Sequence, residues 1–208
     1  MSNLSNADFW REKWQISKDS LPRWDLKGQH PLLQDLVGEA VAQGKLAPGA
    51  KIYVPGCGRA HDAWTLSRLG YKVLATDIAP EAIAHAQKLY PCDADFQVEI
   101  GDVFTAGTQF TEQFDAIFDR AMLGALDPGR REPFVESMFK LLKRGGLFVS
   151  IGFGQIAADR GGPPFAIDIF ESERLFSGNF SLVMAEHRTD GSIDEIVLEE
   201  ILNIWRKD

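Results

Sequence analysis

Cysteine is scarce in this chain of 208 residues: only Cys57 and Cys92 occur. Two thiols cannot build a disulfide framework, and no Cys-x-x-Cys pair suggests zinc, so a reduced compartment suits the chain and no metal is expected. Basic residues are outnumbered, with 22 Lys and Arg against 30 Asp and Glu and a formal charge of −8. That balance argues against a general nucleic-acid partner, which needs a basic face to meet phosphate, and against docking on an anionic membrane. No apolar run reaches the ~20 residues of a membrane span. The opening residues MSNLSNADFWREKW lack the apolar stretch of a secretory signal. Internal repeats and low-complexity tracts are missing as well. What remains is ordinary globular usage, 45% hydrophobic and 25% charged, which excludes a mostly disordered chain. The expectation is a cytoplasmic protein of one domain, 1–208, with a single large core.

The first fifty residues carry Trp10, Trp14 and Trp24, three of the five tryptophans, and no clear strand. Ala7 to Ile16 and Pro31 to Gln43 suit helices, the second through Leu32, Leu33, Leu36, Val37 and Ala40. A different rhythm starts at Lys51. Short β-rich runs at Lys51 to Pro55, Lys72 to Asp77, Phe96 to Ile100, Phe114 to Asp119 and Leu147 to Phe153 alternate with helical patterns. Those helices run from Arg59 to Leu69 with Gly70 as cap, from Pro80 onward, and from Arg130 to Lys143. Asp168 to Phe176 suits a helix and Phe180 to His187 a strand, whereas Ile193 to Trp205 suits either. The β-α alternation predicts an α/β fold with a mostly parallel sheet and helices on both faces.

Candidate chemistry sits at the ends of the strands. Val54-Pro55-Gly56-Cys57-Gly58-Arg59-Ala60 places two glycines between a first strand and a helix, where backbone can approach a ligand closely. A dinucleotide fingerprint wants a third glycine where this chain has His61. A nucleoside without a pyrophosphate needs only Gly56 and Gly58. Asp77 ends the second strand, where an acid accepts hydrogen bonds from ribose hydroxyls; it equally suits the N-cap of the next helix. Gly101-Asp102-Val103 follows the third strand, and Asp102 there suits an adenine amino group or a solvated turn. Asp119-Arg120 ends the fourth strand and also reads as a surface ion pair.

Glycine pair, acid, second acid and charged pair at successive strand ends resemble an S-adenosylmethionine-dependent methyltransferase of the class I, Rossmann-like kind. In particular, the chain resembles the thiopurine and thiol/halide methyltransferase family. The matching pieces are Phe9-Trp10-x-x-x-Trp14, His30-Pro31-Leu32-Leu33, Val54-Pro55-Gly56-Cys57-Gly58, His61-Asp62, Asp77, and Phe114-Asp115-x-x-x-Asp119-Arg120. Met138-Phe139-x-Leu141-Leu142 and Gly161-Gly162-Pro163-Pro164-Phe165 follow. Pro-Gly-Cys-Gly and His61-Asp62 look like the thiol/halide branch, whereas Asp119-Arg120 looks like the thiopurine branch.

The resemblance implies a seven-stranded, mostly parallel sheet whose last strands begin at Asp194, with 1–50 as a helical cover over a core of 51–208. It implies S-adenosylmethionine as cofactor, S-adenosylhomocysteine as product, and a small-molecule methyl acceptor. Trp10, Trp14 and Trp24 would face the cofactor, as would Gly56, Gly58, Asp77 with the neighbouring Ile78, Asp102 and Val103. Asp119 and Arg120 would lie at the methionine end as catalytic residues. Leu21, Arg120, Pro163 and Phe165 would face the acceptor. The implied reaction is in-line methyl displacement by a thiol or thiopurine-like sulfur in a monomeric enzyme. A halide, selenium or tellurium acceptor stays open, as do an NAD-dependent oxidoreductase and a non-catalytic nucleoside-binding domain.

Overall fold

A computed structural model of the chain describes residues 6–16, 22, 24–43, 46–155, 162–193 and 196–208. Two helices come first, α1 (Asn6–Ile16) and α2 (Leu33–Ala42). Strands and helices then alternate: β1 (Lys51–Pro55), α3 (His61–Arg68), β2 (Lys72–Asp77), α4 (Pro80–Leu89), β3 (Phe96–Ile100), α5 (Val103–Gln109), β4 (Phe114–Arg120). After β4 come α6 (Met122–Ala125), a 3-10 turn over Pro128–Arg130, α7 (Arg131–Leu141), β5 (Leu142–Gln155), α8 (Ile169–Phe176), β6 (Phe180–Ile193) and β7 (Ile196–Lys207).

The seven strands form one sheet in the order β3-β2-β1-β4-β5-β7-β6. β1 to β5 run parallel, and β7 is antiparallel to both β5 and β6. The order reverses between β1 and β4, and that reversal opens a crevice at the carboxyl ends of these strands. Alternate side chains of each strand serve opposite faces. Ile52 and Val54 join a core with Leu33, Leu36, Ala63, Leu66, Ile83 and Ala86, so α2, α3 and α4 cover that face. Tyr53 points the other way, into a core with Val103, Leu123, Phe134, Met138 and Phe176 from α5, α6, α7 and α8. A smaller cluster of Trp14, Ala79 and Ala82, with Trp24 against it, seats α1 on α4.

The caps explain several boundaries. Gly70 takes a left-handed φ of 93° just past α3, and the Tyr71 N–H returns to the Leu66 carbonyl. Pro80 opens α4 as its first residue. Asp168 caps α8 by accepting from the Glu171 N–H at 2.7 Å. The ambiguous tail is strand: every residue from Ile201 to Trp205 is buried, so its apolar pattern has no clear period. β5 begins at Leu142 rather than Leu147, because the β4–β5 pairing starts at Phe114 with Leu142 and carries a bulge through Gly145-Gly146. The expected helix at Arg59 begins at His61, since Gly58 and Ala60 both hold left-handed φ values. Among the described residues, no helix is long and apolar enough to cross a membrane.

Candidate active site

The crevice between β1 and β4 is built by two turns that face each other. On the β1 side, Gly56 and Gly58 have φ of 56° and 55°. A Cβ on Gly56 would lie 2.5 Å from Met122 Sδ, and one on Gly58 would lie 3.3 Å from the Trp14 ring. On the β4 side, Ala121 holds a φ of 64° and starts α6, so Met122 swings back over the glycine loop. A left-handed alanine costs ~1–2 kcal/mol; Ala60 and Ala121 place two of them at the edges of one crevice, where strained backbone often marks function.

Asp77 staples the loop. Its Oδ2 accepts from the Gly58 N–H and its Oδ1 from the Ala79 N–H, both at 2.9 Å. It is therefore not the N-cap of α4: Ala79 holds that position without a side-chain bond. Burial raises the Asp77 carboxyl above the usual range, although the N–H groups of Ala79, Gly58 and Ile78 pull it down. The neighbouring Cys57 thiol is also raised by burial and by the charge of Asp77, which suits packing rather than nucleophilic chemistry.

Asp119 and Arg120 do not form a surface pair. Asp119 is buried, and its Oδ1 accepts from the Met122 N–H at 2.7 Å. Burial pushes its carboxyl up to about 7, against the pull of the Met122 and Leu123 N–H groups and of Arg120. Arg120 instead donates through Nε to Asp62 Oδ2 at 2.7 Å and through Nη1 to the Trp24 carbonyl at 3.5 Å. The other oxygen of Asp62 accepts from the His30 N–H at 2.5 Å, and His30 Nε2 lies 2.9 Å from Glu200 on β7. The charge of Arg120 is thus balanced locally by Asp62.

The cover meets the crevice through its tryptophans. Trp10 and Trp14 share one face of α1, four residues apart. Trp24 stands edge-on to both, with ring centroids 5.4 Å from Trp10 and 6.0 Å from Trp14. Trp10 Nε1 donates to the Ala125 carbonyl of α6 at 3.2 Å, so the cover touches both turns. Arg11 reaches the Ile78 carbonyl at 3.4 Å. Asp25 clasps the cover to the loop through Arg59 at 3.1 Å and His61 Nε2 at 3.2 Å. Burial works to raise the Asp25 carboxyl, but His61, the Lys27 N–H and Arg59 together hold it well below the usual range.

The remaining expected residues fall as follows. Asp102 is exposed and caps α5, its Oδ1 accepting from the Phe104 N–H at 3.0 Å. Val103 buries its side chain in the core, so a ligand there would meet its backbone. Phe165 lies beside α6, where its N–H donates to the Gly124 carbonyl at 2.7 Å, and Pro163 stands two residues before it in the same segment. Leu21 and Gly161 lie outside the described residues. The crevice therefore joins Trp10, Trp14, Trp24, Gly56, Gly58, Asp77, Asp119 and Arg120 through direct contacts, and Ile78 through Arg11. Asp102 stands at the next strand end, tied to Asp77 by the Asp77–Ile100 pairing of β2 and β3 and by the Gly101 N–H, which donates to the Asp77 carbonyl at 3.0 Å.

Sequence reading assigned no role to Asp25, Asp62, Met122 or Glu200. Asp62 was within reach, because it stands in the first turn of α3 directly after the glycine loop. Glu200 carries no local signal.

This strand order, with a glycine loop after β1 and an acid ending β2, is the architecture of the class I S-adenosylmethionine-dependent methyltransferases. A solved S-adenosylmethionine-dependent methyltransferase from Anabaena variabilis superposes with a TM-score of 0.78 at 17% identity, over 99% of this chain and 96% of that one. The model of the thiopurine S-methyltransferase family matches residues 5–195. Thiocyanate methyltransferase 1 of Arabidopsis thaliana is 31% identical, over 95% of this chain and 84% of its own. A thiopurine S-methyltransferase of Xanthomonas campestris is 27% identical, over 88% of this chain and 87% of its own. The chain belongs to the thiopurine S-methyltransferase family. It is an S-adenosylmethionine-dependent methyltransferase acting on a small-molecule acceptor.

Proposed function

We propose that this enzyme methylates the sulfur of a small thiol or thiopurine-like acceptor. The observation that carries the reading is the junction of the two turns, with Met122 against Gly56, Trp14 against Gly58, and Trp24 edge-on to Trp14 and Trp10. That junction suits the cofactor chemically: two half-buried glycines without side chains, a carboxylate at the end of β2, and aromatic faces for a cation. When bound, S-adenosylmethionine supplies an activated methyl group on a cationic sulfur.

The chain's own residues then bind, orient and exclude water. Asp77 has lone pairs beyond the two N–H bonds it accepts and would take the ribose hydroxyls. Ile78, Asp102 and Val103 would border the adenine, Val103 through its backbone. Gly56 and Gly58 would meet the methionine portion through main-chain atoms. Trp10, Trp14 and Trp24 would enclose the cation, each ring contributing ~0.5–2 kcal/mol through cation–π attraction. Enclosure also keeps water from the transfer and holds nucleophile, methyl and leaving sulfur in line. A thiol of pKa ~8.5 is partly ionised at neutral pH and needs little help from a base. Asp119 would fix the β4 turn and hold a proton near neutrality. Arg120, held through Nε and Nη1, would present the outer edge of its guanidinium to the acceptor. Pro163 and Phe165 would border the acceptor.

The thiocyanate methyltransferase relative, together with Pro-Gly-Cys-Gly and His61-Asp62, supports a second reading in which the acceptor is a small anion. We further infer a single domain over 1–208, with 1–50 as cover, acting as a monomer in a reducing cytoplasm; free Cys57 and Cys92 support the compartment. The test is methyl transfer from labelled S-adenosylmethionine to a panel of thiols, thiopurines, halides and selenium compounds. Label on thiols or thiopurines supports the sulfur reading, whereas label on halide alone establishes the second.

A further inference from the structure

We propose that Arg131 is the positioning residue that sets the acceptor-side loop against the β4 turn. The inference rests on the reading that Pro163 and Phe165 border the acceptor. Arg131 is the first residue of α7, only 1% exposed, and heads the fully buried side chains by volume. Its guanidinium reaches three separate segments. Nε donates to the Leu123 carbonyl of α6 at 3.0 Å, and Nη1 donates to Glu171 of α8 at 2.6 Å. Nη2 donates to the carbonyls of Ala166 at 3.0 Å and Phe165 at 3.3 Å.

Neither α6 nor the loop can hold this arrangement alone. α6 is four residues long, too short to be stable by its own hydrogen bonds. Residues 163–168 form no helix or strand. Their register against the crevice comes from Phe165 N–H on Gly124, Ile167 N–H on the Phe153 carbonyl at 2.8 Å, and the Arg131 fork. A second ion pair, Glu132 with Arg174, ties the same turn of α7 to α8. A buried charge is costly unless every donor is met, and an apolar side chain of similar size would fill the volume as well. What the guanidinium adds is a rigid plane of donors whose angles fix three segments relative to one another, which a lysine ammonium cannot do. Among the described residues no hydrogen bond or ion pair of Arg131 goes to the glycine loop; its one link there is through α6, whose Met122 lies against Gly56, so the larger effect falls on the acceptor side.

The experiment compares Arg131→Lys and Gly124→Ala with the wild-type enzyme. Lysine keeps a charge for Glu171 but loses the fork. Alanine at Gly124 crowds the loop from its other side, with a Cβ 3.2 Å from the Phe165 carbonyl oxygen, and removes no buried charge. Both variants should bind S-adenosylhomocysteine within about twofold of wild type and raise acceptor KM at least about tenfold, with kcat changed less than about threefold. Amide exchange of the 162–171 peptide, with S-adenosylhomocysteine bound, should rise about tenfold, and that of 51–60 should not change. Equal losses on cofactor and acceptor, or unchanged KM and exchange, would overturn the proposal. Wild-type enzyme that methylates no acceptor would instead sink the acceptor reading, and the exchange comparison would still decide the role of Arg131.

Discussion

Replacing Asp77 by alanine removes two functions, and the structure separates them. The carboxylate accepts from Gly58 and Ala79 N–H groups inside a buried turn. Leaving a buried donor unmatched costs ~1–3 kcal/mol, so leaving both donors unmatched should cost about 2–6 kcal/mol of stability. For a chain of this size each kcal/mol moves Tm by ~2–4 °C, giving a fall of about 4–24 °C without ligand. Asp77→Asn keeps the shape and one accepting oxygen, so its loss of stability should be smaller. Its charge is gone, however, and a charge-assisted bond to ribose is worth ~1.5–3 kcal/mol, or roughly 10- to 100-fold in Kd. Calorimetric titration with S-adenosylhomocysteine on the folded Asp77→Asn protein reads chiefly that second effect, because one of the two loop bonds is kept. A Kd within twofold of wild type would show that Asp77 only staples the glycine loop and does not hold ribose.

Three further outcomes follow from the same geometry. Asp119 has its carboxyl raised from an ordinary 3.8 to about 7, so the folded state holds its proton longer than the unfolded chain, and stability is lost as pH rises from about 4 to 7. Asp119→Asn removes that loss; urea unfolding should show no gain near pH 4 and a gain of up to about 4 kcal/mol at pH 8, and parallel pH profiles would contradict the buried carboxyl. Ala121→Gly relieves a left-handed alanine and should raise stability by ~0.5–1 kcal/mol, read as Tm; a fall would mean that the turn does not hold that conformation. Trp14→Ala opens the cover over Gly58, and should weaken S-adenosylmethionine more than the neutral-sulfur S-adenosylhomocysteine if cation–π attraction contributes; equal losses would leave Trp14 as packing only.

The parts of this fold that were legible in the sequence are those whose signal is local. Lys51 to Pro55, Lys72 to Asp77 and Phe96 to Ile100 are short apolar runs closed by glycine, acid or proline, and their strand ends coincide with those of β1, β2 and β3. α5 was missed because Gly107 breaks its helical pattern. That glycine is there for a neighbour: a Cβ would lie 2.4 Å from the Ser137 carbonyl of α7. α6 is one turn set by Ala121 and by Asp119, not by periodicity. In the site, Gly56, Gly58 and Asp77 were readable because strand ends of a parallel sheet converge. Asp25 and Arg131 were not, because their meaning lies in partners far along the chain: His61 and Phe165. Leu21 remains an expectation outside the described residues.

Whether the crevice between β1 and β4 performs methyl transfer to sulfur is decided by following the label. The purified enzyme is incubated with S-adenosylmethionine carrying an isotopic methyl group and a panel of small thiols, and both products are measured. One labelled thioether for each S-adenosylhomocysteine formed, lost in parallel with cofactor affinity in Asp77→Asn, is the expected result. Stabilisation by NAD with no S-adenosylhomocysteine binding, or cofactor binding with no label on any sulfur, would contradict it.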